Sequence, residues 1–397
     1  MSELQDVYIV GGVRTAVGDF GGSLKPFLPA DLGSMVIGEV VKRAGVELSD
    51  VQHVVMGQVM PTGPKDAFMA RVAALKAGVP EETPALTLNR LCGSGLQAIV
   101  SAAQMMKLGE AQITVAGGAE CMTHAPFFAE GVRWGTKMGD TKIVDGLTRG
   151  LEDPIGEYHM GITAENLAQK YSLSREAQDA FAAASHRKAA AAINEGRFKE
   201  QILPVEIKTR KGVTVFDTDE HVRHDVDEAA MAAMRPAFKK EGGTVTAGNA
   251  SGINDGAAVV ALATREAVEA KGLKPMARIV SWGHAGVDPS IMGIGPIKAV
   301  PIALERAGLS VADIDVIESN EAFAAQACAV ARTLGFPDDK VNINGSGVSL
   351  GHPVGATGAI LTVKAMYELK RSGGRYGLIT MCIGGGQGIA MVIENID

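Results

Sequence analysis

A cysteine, a histidine and a second cysteine stand in or beside glycine-rich stretches of this chain, an asparagine follows an apolar strand, and residues of these types could carry out nucleophilic attack on a carbonyl carbon. The first is Cys92, in Asn89-Arg90-Leu91-Cys92-Gly93-Ser94-Gly95-Leu96-Gln97-Ala98-Ile99. A short apolar run (Ala85, Leu86, Leu88) reads as a buried strand, and an Ala-rich stretch from Leu96 to Leu108 reads as a helix. The thiol therefore falls at a strand-to-helix turn. Unpaired backbone N–H groups and the positive end of the helix dipole there favour a thiolate over a thiol. Gly93 and Gly95 remove side chains that would keep a substrate carbonyl away from those N–H groups. Taken alone, Cys92 also reads as a small cysteine filling space beside a turn.

Three further segments offer partners, each with a plainer reading beside it. Ser346 to Gly358 surrounds His352 with glycines and Pro353 and reads as a loop with a pinned backbone. A neutral imidazole beside a thiol activates it, but a lone loop histidine is also an ordinary hydrogen-bonded residue. Cys382 stands where an apolar strand gives way to the glycine run Gly384-Gly385-Gly386. That run lacks the spacing of a dinucleotide fingerprint or the lysine of a P-loop. It reads as backbone that approaches a substrate closely, with N–H groups able to hold an oxyanion. Core packing would equally explain Cys382. Asn320-Glu321 follows the strand Ile314 to Glu318, at the strand end where α/β proteins build sites, although Asn320 could simply cap a helix.

The elements that must position these residues read as a duplication. Arg43-Ala44-Gly45-Val46, with Leu48 and Asp50 to Val55, resembles Arg306-Ala307-Gly308-Leu309, with Val311 and Asp313 to Ile317, at an offset of 263 residues. Ala77-Gly78-Val79-Pro80 has a looser counterpart in Leu334-Gly335-Phe336-Pro337. Each copy then carries a Gly-rich turn before an Ala-rich helix, and closes with a strand and a glycine run. Chance recurrence of Ala-Gly helix endings is the alternative, and the shared order of elements argues against it. Alternating strands and helices mean an α/β architecture. Two like halves should pack about a pseudo-two-fold axis, with His352 near Cys92 because it falls at roughly the same place in the repeat.

Between the halves, about Met122 to Asn249, the character changes. Ser174 to Glu195 reads as a helix with Ser174 as N-cap. Charged loops follow at Lys208-Thr209-Arg210-Lys211-Gly212 and at Asp217 to Asp227, with His221, Arg223 and His224. Such an insertion either carries ligand contacts or is a solvated excursion.

Composition bounds the rest. The 397 residues suggest two or three domains or a duplicated one, and 46% hydrophobic with 21% charged residues fits a globular protein with a large core. A net charge of −7 argues against nucleic-acid or anionic-membrane partners. Four cysteines (Cys92, Cys121, Cys328, Cys382) are too few for a disulfide scaffold, and none forms a Cys-x-x-Cys or Cys-x-x-His zinc motif. Cys121 and Cys328 read as buried packing residues. The start, Met1 to Val7, has no basic and apolar leader, and no apolar stretch is long enough to span a bilayer. A reducing, cytoplasmic setting is the expectation.

Five ordered segments resemble the thiolases, the acetyl-CoA C-acyltransferases, over nearly the full length: Asn89 to Gly95, Asn249 to Gly256, Asn320-Glu321-Ala322-Phe323, Gly351 to Gly358 and Cys382 to Gly386. Tyr158 to Asn166 is similar to the bacterial short-chain β-ketothiolases of polyhydroxyalkanoate precursor supply. The resemblance implies a five-layer αβαβα sandwich of two duplicated halves, residues 1–121 with 250–271 and residues 272–397. It also implies a loop domain, residues 122–249, inserted in the first half to bind coenzyme A. A homotetramer, a dimer of dimers, is implied as well. Carried to matching positions, Cys92 is the acylated nucleophile. His352 activates it and forms an oxyanion hole with a water held by Asn320. Cys382 is the acid/base, and the N–H groups of Cys92 and Gly384 are the second oxyanion hole. Arg223, Ser251, His159 and Met160 would contact coenzyme A, with Ala322 and Phe323 near the pantetheine. No metal and no permanent cofactor are implied; coenzyme A and acyl-CoA are substrates. Met160 resembles a residue that narrows the acyl pocket, with acetoacetyl-CoA as the expected substrate and 3-ketovaleryl-CoA next.

Two rivals remain at this stage. A ketoacyl synthase would want a second histidine where this chain has Asn320, and has no use for Cys382. A non-catalytic acyl-CoA-binding protein on the same fold would not need Cys92, His352 and Cys382 together.

Overall fold

The computed structural model describes residues 5–210 and 212–396, so residues 1–4 of the expected leaderless start, and Lys211 of the charged loop, lie outside it. Its elements in chain order are β1 (Val7–Thr15), α1 (Pro29–Ala44), β2 (His53–Gly57), α2 (Met69–Ala77), β3 (Ala85–Leu88), α3 (Ser94–Lys107) and β4 (Ile113–Cys121). The inserted segment holds α4 (Met160–Lys170) and α5 (Arg175–Asn194). Then come β5 (Asn254–Thr264), α6 (Arg265–Lys271), β6 (Ala277–Gly286), α7 (Gly295–Ala307), β7 (Val316–Ser319), α8 (Ala324–Leu334), α9 (Thr357–Ser372), β8 (Tyr376–Ile383) and β9 (Gln387–Asn395).

The duplication is visible in these boundaries. Gly45 and Gly308 end their helices in the same left-handed conformation (φ 70° and 68°), the usual role of glycine at that position. Ser94 and Thr357 open helices, and Ile113 and Tyr376 open strands, at the same 263-residue offset. By this alignment Gly355 is the counterpart of Cys92, and His352 lies three residues earlier. Strand order runs β7-β8-β9-β6-β1-β5-β4-β2-β3, so the halves are mirrored about the join between β1 and β6. Among the described residues, only Tyr8 and Ile9 pair across that join, with Arg278 and Ala277.

Packing divides the structure into five layers. The strands are buried on both faces, so they read as continuous apolar runs. In β1, Tyr8 and Val10 face α1 and α2, while Val7 and Ile9 face the central helices. Apolar residues of α3 and α9 share that central cluster with the inner faces of both half-sheets. Helices α7 and α8 cover the outside of the second half. The central layer is close because it carries glycine where the helices cross. A Cβ on Gly95 would lie 2.9 Å from the Ala359 nitrogen, and one on Gly358 would lie 2.9 Å from Leu96 Cα. These are equivalent contacts, one from each half.

Several local readings change. The run Ala85–Leu88 is a strand, but it lies at the sheet edge and Leu86 is 37% exposed, so it is not a buried one. Helix α5 is capped by the Ser174 hydroxyl, which accepts from the Ala177 N–H, as expected. The described residues of the charged stretch from Lys208 belong to a hairpin, in which Val205–Thr209 pairs with Gly212–Phe216. The segment Asp217 to Asp227 is tied to the first half. Asp219 accepts from buried Arg14 at 2.7 and 3.0 Å, and His221 Nδ1 lies 2.6 Å from Asp19 Oδ1. The glycine-rich segment around His352 also contains one helical turn, Gly347–Leu350.

Candidate active site

The turn that presents Cys92 is held by its own side chains. Leu91 donates its N–H to Asn89 Oδ1 at 2.8 Å. Ser94 Oγ accepts from the Arg90 N–H at 2.8 Å and donates to the Leu91 carbonyl at 2.7 Å. These bonds hold Leu91 at φ 47°, a left-handed conformation that a leucine does not adopt unforced. Gly93 is needed because a Cβ there would lie 2.6 Å from Ile383 Cδ1, which neighbours Cys382. The backbone N–H groups of Gly384 and of Cys92 itself favour the thiolate and act to lower the pKa. Burial is the larger effect and pushes the thiol up. The resting group is therefore a thiol, not the thiolate that the helix terminus alone suggests. It needs a base.

His352 lines the same cavity as Cys92. Its backbone N–H donates to Asn254 Oδ1 at 2.9 Å. The Thr357 hydroxyl donates to the Pro353 carbonyl at 2.9 Å, so at 2.6 Å from His352 Nδ1 its oxygen is the acceptor and Nδ1 carries the proton. Nε2 then presents its lone pair, to which Asn320 Nδ2 donates at 3.3 Å. Burial pushes the imidazole down to about 4, so it is neutral.

Asn320 follows the end of β7, and its N–H donates to the Thr380 carbonyl at 3.0 Å. It is not a helix cap: α8 opens at Ala324, with Phe323 in the cap position. Asn342 brackets the strand end, accepting from the Ser319 N–H at 2.9 Å and donating to the Ser319 carbonyl at 2.8 Å. Asn320 Oδ1 is buried with no donor to it among the described residues. Cys382 is fully buried in β8, among Ala322, Phe323 and Met292. Burial, then the Cys92 charge, hold its thiol well above the usual range.

A cavity of about 320 Å³ opens onto these groups. Cys92, His352 and Gly384 line it, together with His159, Met160, Ser251, Ala322 and Phe323. Cys382 and Asn320 lie behind its wall. Arg223 is not part of the lining; its N–H donates to His186 Nδ1 at 3.1 Å. Sequence reasoning missed most of the apolar wall: Met60, Met122, Leu151, Phe238, Met292 and Val354. These come from distant segments with no local pattern; the only signal was the 17 methionines. His159 caps α4 by accepting from the Gly161 N–H at 3.0 Å, and its ring stacks on Phe238 at 4.5 Å between centroids. Of the remaining thiols, Cys121 is buried as expected. Cys328 is only partly buried and opens onto a cleft between α5 and α8, with burial pushing it up to about 12.

Residues 7–266 match the family model for the thiolase N-terminal domain, and residues 273–395 match the thiolase C-terminal domain. The beta-ketothiolase BktB of Cupriavidus necator is 60% identical over 392 residues, covering 99% of this chain and 100% of that protein. The crystal structure of the Bacillus anthracis acetyl-CoA acetyltransferase superposes with a TM-score of 0.97 at 47% identity, over 99% of both chains. Human mitochondrial 3-ketoacyl-CoA thiolase in complex with CoA superposes at 0.96 and 43% identity, again over 99% of both.

Proposed function

Since the chain belongs to the thiolase family, we propose that it catalyses the reversible thiolysis of short 3-ketoacyl-CoA, and in reverse the condensation of two acetyl-CoA to acetoacetyl-CoA. The observation that carries this is a single cavity whose wall brings together the Cys92 thiol, Gly384 and the neutral imidazole of His352.

In the thiolysis direction, Cys92 gives its proton to His352 Nε2 and its sulfur bonds to C3 of the substrate. The C3 oxygen takes the negative charge and is held by the N–H groups of Cys92 and Gly384. The C2–C3 bond then breaks, and its electron pair becomes the enolate of acetyl-CoA. The enolate oxygen is held by His352 Nε2–H and by a water that donates one hydrogen to it and the other to Asn320 Oδ1. Cys382 gives its proton to C2, and burial suits it to this by keeping it a thiol until needed. Coenzyme A enters, passes its thiol proton to Cys382 and attacks the acyl-Cys92 carbonyl. Cys92 leaves as thiolate and recovers its proton from His352. Each oxyanion site is worth about 3–4 kcal/mol, which makes the carbon–carbon step feasible for thiols. Passage through an acyl-enzyme predicts ping-pong kinetics.

His159, Met160, Ser251, Ala322 and Phe323 are the proposed contacts for the acyl-pantetheine arm, since they line the cavity. Arg223 can contribute only further out, toward the nucleotide end. A homotetramer is supported by an exposed apolar arm around the hairpin Phe127–Ala129 and Ile143–Asp145, where Trp134 is 88% and Met138 95% exposed. Four free thiols suit a reducing, cytoplasmic setting. A role in polyhydroxyalkanoate precursor supply goes with the short-chain type.

The test is direct. Protein, acetoacetyl-CoA and coenzyme A are mixed and the loss of enolate absorbance is followed; wild type should consume the substrate, and Cys92→Ser should neither do so nor gain the mass of an acetyl group from acetyl-CoA. Acetylation of that variant at the wild-type rate would remove Cys92 from the role. No thiolysis by wild type, with coenzyme A still bound, would leave the non-catalytic reading standing.

A further inference from the structure

Glu120, in β4, is fully buried and has no part in the chemistry above. Its Oε2 accepts from the Val59 N–H at 3.0 Å and from the Gly355 N–H at 2.9 Å, and its Oε1 accepts from the Met60 N–H at 3.1 Å. The three amides lie in connecting segments, so Glu120 supplies the acceptor that a helix or a ladder would otherwise provide. Val59 and Met60 line the substrate cavity. Gly355 lies three residues beyond His352, in the other half of the molecule.

The Gly355 turn is also inserted into the first half. A Cβ on Gly57 would lie 2.9 Å from the Gly355 carbonyl oxygen, one on Gly95 would lie 3.0 Å from it, and one on Gly118 would overlap it. The slot excludes side chains, and one carboxylate closes it.

The duplication explains what the carboxylate is doing there. Gly355 is the counterpart of Cys92, and both precede the N-terminus of a central helix, where backbone N–H groups attract negative charge. In the first half the Cys92 amide lies at the wall of the cavity. In the second half the equivalent amide is occupied by Glu120. At the counterpart of Glu120 itself stands Ile383, which leaves the space beside Cys92 uncharged.

We propose that Glu120 is a positioning residue of the reaction, a buried carboxyl group seated at the duplicated counterpart of the oxyanion site, which holds the His352 loop of one half against the cavity wall of the other. Burial and the nearby Asp66 carboxylate push its carboxyl up to about 8, and the three amides oppose that rise. The proposal rests on His352 being the base for Cys92.

Glu120→Gln keeps the shape and turns one acceptor into a donor facing a donor. At pH 8.5, where the carboxylate prevails in wild type, kcat for acetoacetyl-CoA thiolysis should fall about 100-fold, as for a base displaced by a fraction of an ångström, with KM within twofold. Alkylation of Cys92 by iodoacetamide, followed by peptide mass, should slow about tenfold because the thiol loses its base. Wild-type kcat and alkylation in a folded Glu120→Gln protein, or a KM that rises in step with the loss, would overturn the proposal. If the variant does not fold, hydrogen exchange on the wild-type enzyme decides: the Val59, Met60 and Gly355 amides must be protected, and exchange at the rate of exposed loops refutes the clamp. Alkylation needs no acyl-CoA, so it still judges Glu120 if the wild-type protein performs no thiolysis and the functional reading itself fails.

Discussion

His352 Nδ1 donates to Thr357 Oγ1 at 2.6 Å, and Thr357 donates onward to the Pro353 carbonyl at 2.9 Å. That relay fixes which imidazole nitrogen carries the proton, and leaves Nε2 as the basic one. Thr357→Val leaves Nδ1–H without an acceptor in a buried site and favours the tautomer with the proton on Nε2, where it blocks the Cys92 proton. We expect kcat to fall by about 10–100-fold with little change in KM, and Thr357→Ser to stay within a few-fold of wild type. Steady-state thiolysis of acetoacetyl-CoA by both variants checks this, and wild-type kcat in Thr357→Val would mean that something else sets the tautomer.

Cys382 should separate the two halves of the reaction. It is buried one layer behind Cys92 and holds its proton tightly. Cys382→Ser should still acquire an acetyl group on Cys92 from acetyl-CoA, slowly, but lose acetoacetyl-CoA formation by about 100-fold or more, because a serine hydroxyl is a far weaker acid. Intact-protein mass and product formation are read on the same sample. Undiminished condensation would exclude Cys382 from the carbon–carbon step.

The helix crossing at Gly95 and Gly358 should tolerate no side chain. A Cβ on Gly358 would lie 2.6 Å from Leu96 Cβ and 2.9 Å from its Cα, so backbone would have to move. Gly358→Ala should cost about 3 kcal/mol or more in stability, beyond ordinary overpacking. Urea denaturation of wild type and variant measures it; a loss below 1 kcal/mol would mean that the two central helices can slide apart.

Much of this arrangement was legible because it is written in local backbone chemistry. Gly45 and Gly308 mark helix ends in any context, which is why the repeat showed at a constant offset. Glycines beside Cys92, His352 and Cys382 advertised close backbone approach. What local chemistry does not carry is burial. The helix terminus at Cys92 suggests a thiolate, and desolvation at the cavity wall makes the thiol the resting form. Asn320 looked like a cap until α8 was found to open at Ala324. Leu86 and Leu88 mark a strand but do not say that it is an edge. Met60 and Met122 meet at the cavity from segments with no shared pattern.

Histidine burial also makes a pH prediction. His186, in α5, is buried, accepts the Arg223 N–H at Nδ1, and is pushed down to about 4 by burial, Arg223 and His221. Its contribution to stability is whole above the unfolded value near 6.5. It is lost as pH falls toward about 4, because the unfolded chain takes up a proton that the folded one refuses. By pH 5 the loss is about 2 kcal/mol. His186→Asn offers an acceptor that does not titrate, so between pH 7.5 and 5 it should lose about 2 kcal/mol less than wild type in urea unfolding. Equal losses would show that His186 takes up no differential proton.

Met160 should set the upper length of the acyl chain. It lines the cavity, and its Cε would lie 2.8 Å from a Cβ on Gly384, so it covers the glycine whose N–H favours the Cys92 thiolate. It also packs beside Phe238 and Phe323 against the cluster that holds Cys382. A chain longer than the short acyl groups must displace this thioether, and an unbranched Met yields at some cost rather than not at all. Each methylene of lost or gained room is worth about 1–3 kcal/mol in discrimination. Met160→Ala should therefore raise kcat/KM for a six-carbon relative to a four-carbon 3-ketoacyl-CoA by about 10–100-fold, while Cys92 acylation by acetyl-CoA stays near wild type. A ratio that does not move would place the limiting wall on the opposite side of Cys92, at Met60 and Met122, where an acyl group pointing away from Gly384 would end.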